Sequence, residues 1–392
     1  MLAKNWESRK ARYDFVVVGS GYGGAITAAR LANAPLNPKP AVCVLERGKE
    51  WEVGRFPDTP EGVLGEQRNA LNPLGLYELL TYRDISVIKG SGLGGTSLVN
   101  ANVAIVPDEE IFEKQGWPAG VTLDVLRPYY GRAHTVLAAG PHPRADQLLK
   151  VQALGRRGSQ VGLAAKALDI AVNFTLDDVN PYGVRQQPCT DCGDCVTGCN
   201  VGAKNTLAMN YLPLARRGGA DIFVQAEVFR VEKVAGGGWR VHGRRFGGGL
   251  VPEEFTIEAG NVILAAGSIS TTEVLLRSQA AGLELAPAVG TTFGGNGDFF
   301  GLAYNGDHRT IALPLRQRGR RAVRHRGPVV SAGLRERRQA GVRSVAGRGH
   351  RHRRRARGTA ARAARFQPLH APPSGRGAEP HYALPVHGRR RR

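Results

Sequence analysis

The segment that most constrains the fold is a short apolar run that leads directly into closely spaced glycines. The run is Tyr13 to Val18 (YDFVVV), followed by GSGYGG from Gly19 to Gly24 and by AITAARLA, whose apolar spacing is helical. A strand, a G-x-G-x-x-G loop and a helix in this order are typical of a βαβ unit that binds a dinucleotide. Gly19 permits the tight turn, Gly21 lets the backbone approach a pyrophosphate, and Gly24 lets the helix pack closely on the strand.

A second apolar run supplies an acid at the position where such units contact a ribose. The run is Ala41 to Leu45, and Glu46 follows it, 22 residues after Gly24. A carboxylate there accepts hydrogen bonds from the ribose hydroxyls of an adenosine and repels a 2′-phosphate. The glycine motif alone does not distinguish FAD from NAD.

Later segments favour a two-part flavin-binding domain. A second glycine-dense loop begins at Lys89 (KGSGLGGTSLVNANV), and such a loop can lie flat against a large cofactor. Residues 221–234 alternate like a strand, and 239–241 continue after a Gly-Gly-Gly turn. Residues 261–266 are predicted to form a buried strand that ends at Gly267 and completes the sheet after this β-meander.

Together these segments resemble the glucose-methanol-choline (GMC) flavin oxidoreductases, in particular their bacterial cholesterol-oxidase-like branch. The resemblance runs in order from about residue 13 to about residue 306. The segments that carry it are 19–24, Glu46-Arg47-Gly48, GSGLGGTSLVN at 90–100, AKNTLAMNYLPLA at 203–215, VILAAGS at 262–268 and Gly295-Asn296-Gly297-Asp298.

The resemblance implies noncovalently bound FAD and oxidation of the CH-OH group of an alcohol, often a sterol or another small apolar alcohol. Hydride would pass to flavin N5, oxygen or another acceptor would take the electrons, and steroid metabolism is the implied context. The residues that it places on FAD are Gly19, Gly21, Gly24 and Glu46 at the ADP half, Gly92, Gly95, Ser97 and Asn100 near the pyrophosphate and the ring, Val228 at the adenine through its backbone, Gly267 at the phosphates, and Asn296 and Asp298. For Asn100 and Asn296, a loop amide that satisfies its own backbone is the alternative.

The expected fold class is α/β, with a Rossmann-like FAD/NAD(P)-binding parallel sheet, a β-meander and an incomplete α+β substrate domain. The predicted FAD domain is discontinuous, comprising 1–115 and 214–308. Residues 116–213 form a partial substrate or cap region, which includes a helix around 123–139 and a cysteine loop at 189–199.

The cysteine loop has the spacing C-x2-C-x2-C-x3-C, which is typical of the cluster-binding loop of bacterial ferredoxins. Its members are Cys189, Cys192, Cys195 and Cys199. Asn200 stands where the ferredoxin loop has proline, and the remaining cysteine is Cys43. An iron-sulfur cluster, a zinc ion and unliganded thiols are therefore all open interpretations. If a cluster is bound, electrons from the flavin would pass through it to an acceptor other than oxygen.

Clustered cysteines are typical of a reducing compartment. The polar N-terminus and the lack of a long apolar stretch predict a cytoplasmic chain without a transmembrane segment.

No catalytic base can be assigned from the sequence. The resemblance implies a histidine near the C-terminus that takes the alcohol proton. His134, His142 and His242 are predicted to be surface or packing residues, with His242 beside a strand end, and His308 lies at the edge of the family-like region.

The net charge of +21 originates in the last part of the chain. Residues 309–392 hold 24 arginines and two acids, which gives +22, whereas the preceding residues hold 30 basic and 31 acidic side chains, which gives −1. This distribution excludes a uniformly basic nucleic-acid-binding protein.

The same segment contains no Lys, Asn, Asp, Met, Trp or Cys. Selection for acidic partners would not remove lysine, whereas translation of a GC-rich gene in a shifted frame would. We therefore predict a frameshift between about residues 300 and 312, loss of the catalytic C-terminal part, and a disordered tail over 309–392. The alternative is a selected arginine-rich tail that binds nucleic acid.

Overall fold

The computed structural model describes residues 1–114, 116–247 and 251–295. The predictions for Asn296, Asp298, His308 and the arginine-rich segment lie outside these residues. Across the described ranges, no helix is both long enough and apolar enough to cross a membrane.

The strands of the described residues fall into one large sheet and three short ribbons. In chain order they are β1 (Arg12–Val18), β2 (Val42–Leu45), β3 (Tyr77–Thr81), β4 (Ser86–Gly90), β5 (Gly140–Pro141), β6 (Asp169–Ile170), β7 (Asp178–Val179), β8 (Arg185–Gln186), β9 (Asp221–Phe223), β10 (Ala226–Lys233), β11 (Trp239–Arg245) and β12 (Glu253–Leu264). The α-helices are α1 (Tyr22–Ala32), α2 (Pro60–Gly65), α3 (Leu123–Leu137), α4 (Leu149–Gln160), α5 (Tyr211–Arg217) and α6 (Ser268–Ala280).

The large sheet has six strands in the order β10-β11-β12-β1-β2-β9. β1 pairs in parallel with β2 and β12, and β2 pairs in parallel with β9, whereas β10, β11 and β12 form an antiparallel meander. The fold is therefore α/β with a mixed sheet, as the sequence predicts.

The predicted continuous strand over residues 221–234 is wrong in one respect, because the chain breaks it into β9 and β10. Gln225, between them, has a φ of 60°, which interrupts the extended backbone. Its N–H donates to the Gly48 carbonyl at 2.9 Å. The break ends parallel pairing with β2 and lets β10 begin the meander.

The returning strand is longer and less buried than predicted. β12 pairs with β11 through residues 253–259 and with β1 through residues 258–264. Within the predicted buried segment, Asn261 is exposed and residues 262–264 are only partly buried.

Both faces of the sheet are covered by apolar cores, and alternate β1 side chains point into one core or the other. Val16 and Val18 pack in one core with Trp6, which contacts Phe255 with ring centroids 4.7 Å apart. Val17 packs in the other core, where α1 and α5 lie against the sheet. A nearly continuous apolar β1 is what this two-sided burial requires.

Candidate functional site

Three loops converge where β1 and β2 end at the same edge of the sheet. The loop after β1 begins at Gly19, whose N–H donates to the Leu45 carbonyl at 2.8 Å. The segment after β2 holds Glu46 and continues to Lys49, which forms an isolated parallel bridge with Gly92 of the third loop. Ligands of open α/β sheets bind at the carboxyl ends of the strands, so this edge is the candidate site.

The first loop has backbone contacts that require glycine at Gly19 and Gly24. A Cβ on Gly24 would lie 1.9 Å from the Gly19 carbonyl oxygen, so the helix approaches the loop as closely as only glycine allows. Gly19 has a φ of 94°, and a Cβ there would lie 2.5 Å from the Ala265 oxygen. A Cβ on Gly21 would meet no atom within 4 Å, which leaves the start of α1 open.

The third loop lies directly against the first two. A Cβ on Gly95 would be 2.9 Å from the Gly21 Cα, and a Cβ on Gly48 would be 2.4 Å from the Gly92 nitrogen. Glycine at these positions lets the three backbones touch, and the loops form one continuous surface.

Glu46 is buried at the junction of these loops, with 5% of its surface exposed. One carboxylate oxygen accepts from the Ser20 N–H at 3.1 Å and the Ser20 hydroxyl at 2.6 Å, and the other accepts from the Gly48 N–H at 2.9 Å. A carboxylate has about four acceptor positions, so one remains for a ligand hydroxyl.

Ser97 and Asn100 follow the third loop and already have partners in the protein. The buried Ser97 hydroxyl donates to the Gly94 carbonyl at 2.6 Å and accepts from the Leu207 N–H at 3.2 Å. The Asn100 amide donates to the Tyr22 hydroxyl at 2.9 Å, which ties it to the start of α1. Its Oδ1 accepts from the Asn102 N–H at 3.3 Å, in line with the loop-amide alternative.

Gly267 and Val228 occupy different environments. Gly267 precedes α6, has a φ of 84°, and would place a Cβ in open space. It follows Ala265, whose N–H donates to the Val18 carbonyl at 2.8 Å, so it lies beside the first loop. Val228 is buried in the core at the β-bulge of β10, and its side chain contacts other core residues.

Glu78 on β3 holds together the residues that flank the loops. Its carboxylate pairs with Arg47, with Arg68 at 3.0 Å and with Lys89 at 3.1 Å. Burial alone would raise the pKa of this carboxyl, but Arg47, Lys89 and Arg68 together outweigh burial and lower it. Lys89 also donates to the Ser270 hydroxyl on α6 at 3.0 Å, so one buried acid links the flanks of the loops to the helix after β12.

The three described histidines lie apart from this edge, each beside a carboxylate. Their ring Nε2 atoms lie 3.1 Å from Asp169 for His134, 3.0 Å from Asp191 for His142 and 3.3 Å from Glu232 for His242. His142 is fully buried, which fits the prediction of a packing residue. The placement of His242 beside a strand end is wrong, since β11 continues to Arg245. Among the described residues, no histidine contacts the glycine loops.

The four loop cysteines line a single cavity, together with side chains that include Val172, Ala203 and Lys204. The loop is turned by left-handed residues, namely Asp191 with a φ of 57° and Gly193 with a φ of 85°. Burial raises the pKa of Cys189 to about 12 and that of Cys192 to about 11, and it also raises the pKa of Cys195.

Within the described residues, no group of three or more His, Cys, Asp or Glu side chains is arranged to hold a metal ion. This finding gives no support to a single metal ion of any kind, zinc included, at the cysteine loop.

Lys204 connects the cysteine loop to the third glycine loop. Its side chain is almost fully buried and donates to the carbonyls of Leu98 at 3.0 Å, Asn100 at 2.8 Å and Cys195 at 2.8 Å. Burial lowers its pKa to about 8. No pattern in the sequence predicts this role, although Lys204 lies within the family-like segment 203–215.

Comparison with known proteins identifies the family. The family description "GMC oxidoreductase" matches residues 13–294, so the chain belongs to the GMC oxidoreductases.

Among curated relatives, cholesterol oxidases of Mycobacterium tuberculosis and Acinetobacter baumannii are 32% and 29% identical to this chain. The alignments cover 70% and 69% of this chain and 49% and 51% of the relatives. The chain thus spans about half the length of these relatives. A solved fungal aryl-alcohol oxidase aligns with 69% of this chain and 48% of its own length, at 19% identity and a TM-score of 0.44.

The Glu78 cluster makes a pH-dependent contribution to stability that a matched variant isolates. A carboxyl whose pKa is lowered on folding stabilises the protein above its unfolded pKa, and this contribution is lost as the pH falls through the folded pKa. We expect the unfolding free energy of the wild type to fall more steeply than that of Glu78→Gln between about pH 6 and about pH 3. Parallel pH profiles from denaturant titrations would contradict this prediction, and Glu254→Gln, at an exposed position of β12, is the control.

Proposed function

We propose that the edge formed by the three glycine loops binds FAD. The proposal rests on one contact: the first and third loops touch at Gly21 and Gly95, in front of the open N-terminus of α1. Membership of the GMC oxidoreductases supports the choice of FAD over NAD.

The residues fit the two halves of the cofactor in different ways. Backbone N–H groups at the start of α1, left open at Gly21, would hold the pyrophosphate, since a helix N-terminus favours anions. The spare acceptor position of Glu46 would take a ribose hydroxyl. Gly92, Gly95 and Asn100 would bound the flavin side, and Gly267 would approach the phosphates. Ser97 would hold the third loop in position through its hydrogen bonds within the protein. The Val228 backbone would contact the adenine.

When bound, FAD supplies the acceptor for the two electrons of an alcohol. The substrate class that we propose is a sterol-like apolar alcohol, because the cholesterol oxidases of two bacteria are among the relatives. A long-chain-alcohol oxidase of Arabidopsis thaliana is also a relative, at 28% identity, which keeps a linear apolar alcohol as the second candidate. Oxygen is the proposed final acceptor, and an iron-sulfur centre at the cysteine loop is the alternative route for electrons.

The group that accepts the alcohol proton is not supplied by the described histidines. His134, His142 and His242 are each held near a carboxylate away from the loops. We propose that a shifted reading frame has replaced the segment that carries the base, because lysine and five other residue types vanish together after residue 308. A selected nucleic-acid-binding tail would have no reason to lose lysine.

FAD binding is tested by a pair of alanine variants in adjacent positions of α1. Gly24→Ala brings a methyl group to 1.9 Å from the Gly19 oxygen, whereas the nearest atom to a Cβ on Gly23 is 3.8 Å away. We expect Gly24→Ala to lower the affinity for FAD at least tenfold and Gly23→Ala to leave it within about twofold, measured by quenching of flavin fluorescence. Equal affinities in both variants would exclude a site on this loop.

The reading-frame proposal is tested on the gene itself. Sequencing around codons 290 to 320, with translation in all three frames, should show family-like sequence containing a histidine in another frame downstream. If no frame yields such sequence, the segment after residue 308 is the natural one and the proposal fails.

The substrate proposal is tested by comparing this chain with the protein translated in the restored frame. Both are loaded with FAD and mixed anaerobically with cholesterol, a long-chain primary alcohol or an aryl alcohol. We expect this chain to keep its flavin oxidised and the restored protein to be bleached fastest by cholesterol. Bleaching of this chain by cholesterol would contradict the loss of the base, and fastest bleaching of the restored protein by another alcohol would contradict the sterol class.

A further inference from the structure

The cysteine loop is the part of the molecule that the proposed alcohol oxidation leaves unexplained. Four thiols that are spread over eleven residues line one cavity, and apolar side chains of Val172 and Ala203 close it. The turns at Asp191 and Gly193 are left-handed, a conformation that is costly for a non-glycine residue such as Asp191. The four cysteines therefore contribute to one cavity lining although they are spread along the loop.

The Cys189 thiol donates to the Asp191 carboxylate at 3.8 Å, whereas N–H groups donate to the sulfurs themselves. The Asp191 N–H points at the Cys189 sulfur at 3.4 Å, and the Asp194 N–H donates to Cys192 in the same two-residue relation. The Asn102 side chain donates to Cys195. N–H groups that point at sulfur stabilise a coordinated thiolate and tune the potential of a cluster.

The charge of Lys204 has no carboxylate partner within the described part of the chain. Its three hydrogen bonds go to neutral carbonyls, and Cys195 and Cys199 line the same cavity as Lys204. A buried ammonium without a counter-charge is costly. Metal-bound thiolates in the cavity would supply that charge.

We propose that this cavity binds a four-iron iron-sulfur cluster, with Lys204 as its counter-ion. The ligands are Cys189, Cys192, Cys195 and Cys199. In a cubane each thiolate binds a different iron, so the sulfurs stand further apart than around one ion, where each lies about 2.3 Å from a zinc. A cubane therefore does not need the single-ion arrangement that the described residues lack, and its four proposed ligands line one cavity.

The proposed cluster lies beside the third glycine loop, which is proposed to bound the flavin. Lys204 bonds the Cys195 carbonyl on one side and the Leu98 and Asn100 carbonyls on the other. A redox centre at this position rests on the proposed function and extends it, because electrons from a flavin bound at the third loop would pass to the cluster. Its presence is measured without substrate or FAD, so its failure is distinct from the failure of alcohol oxidation.

The test is anaerobic reconstitution of the full chain with ferrous iron and sulfide, followed by analysis of iron and acid-labile sulfide. We expect about four of each per chain, a broad visible absorption beyond that of flavin, and an electron paramagnetic resonance signal after reduction with dithionite. Protein with flavin absorption and no sulfide, or with one zinc per chain after purification, would overturn the proposal.

Two matched cysteine variants locate the cluster. Cys195→Ser removes a ligand, whereas Cys43→Ala removes a buried cysteine of β2 that lies in the core of the sheet. We expect Cys195→Ser to lose at least half of the iron and sulfide and Cys43→Ala to keep both, with far-ultraviolet circular dichroism confirming that each is folded. Equal loss in the two variants, or loss in neither, would overturn the assignment.

The role of Lys204 is read from the reduction potential of the cluster. Lys204→Met removes a positive charge beside the cluster, so the more negative reduced state is less stabilised and the midpoint potential should fall. Lys204→Arg keeps the charge, so its midpoint potential should stay close to that of the wild type. An unchanged potential in Lys204→Met would refute the counter-ion role.

Discussion

The close approach of α1 to the loop after β1 is the contact on which the candidate site depends. A side chain at Gly24 would occupy the position of the Gly19 carbonyl oxygen, so only glycine lets the helix begin where it does. This contact fixes the N-terminus of α1 at the edge of the sheet, where Glu46 and the third loop also lie. If α1 moved outward, the open space in front of Gly21 would no longer be bounded by Gly95.

Two buried charged groups hold the remaining parts of the site to this edge. Glu78 forms ion pairs with Arg47, Arg68 and Lys89, which come from three segments. Lys204 donates hydrogen bonds to carbonyls of the third glycine loop and of the cysteine loop. Buried charges add little net stability but penalise any arrangement that breaks their contacts. They therefore determine which loops lie together, while the apolar core on both faces of the sheet supplies the stability.

The sequence predicted those features that short-range geometry dictates. The glycine spacing identified the close contact of Gly24 and the open position of Gly21. The near-continuous valines of β1 identified a buried strand, because such a run requires apolar neighbours on both faces of a sheet. The roles of Glu78 and Lys204 depend on partners distant in the chain, and no local pattern reveals them. The same reason explains the missed break at Gln225, whose N–H donates to the carbonyl of the distant Gly48.

A competitive titration distinguishes an FAD site at the three glycine loops from a nicotinamide site. The purified chain is titrated with FAD, NAD and NADP separately and then with FAD in the presence of each nicotinamide nucleotide. We expect saturable binding of one FAD per chain, with no competition by either nicotinamide nucleotide at equal concentration. Saturable binding of NAD that displaces FAD, or the absence of FAD binding, would show that the loops are not an FAD site.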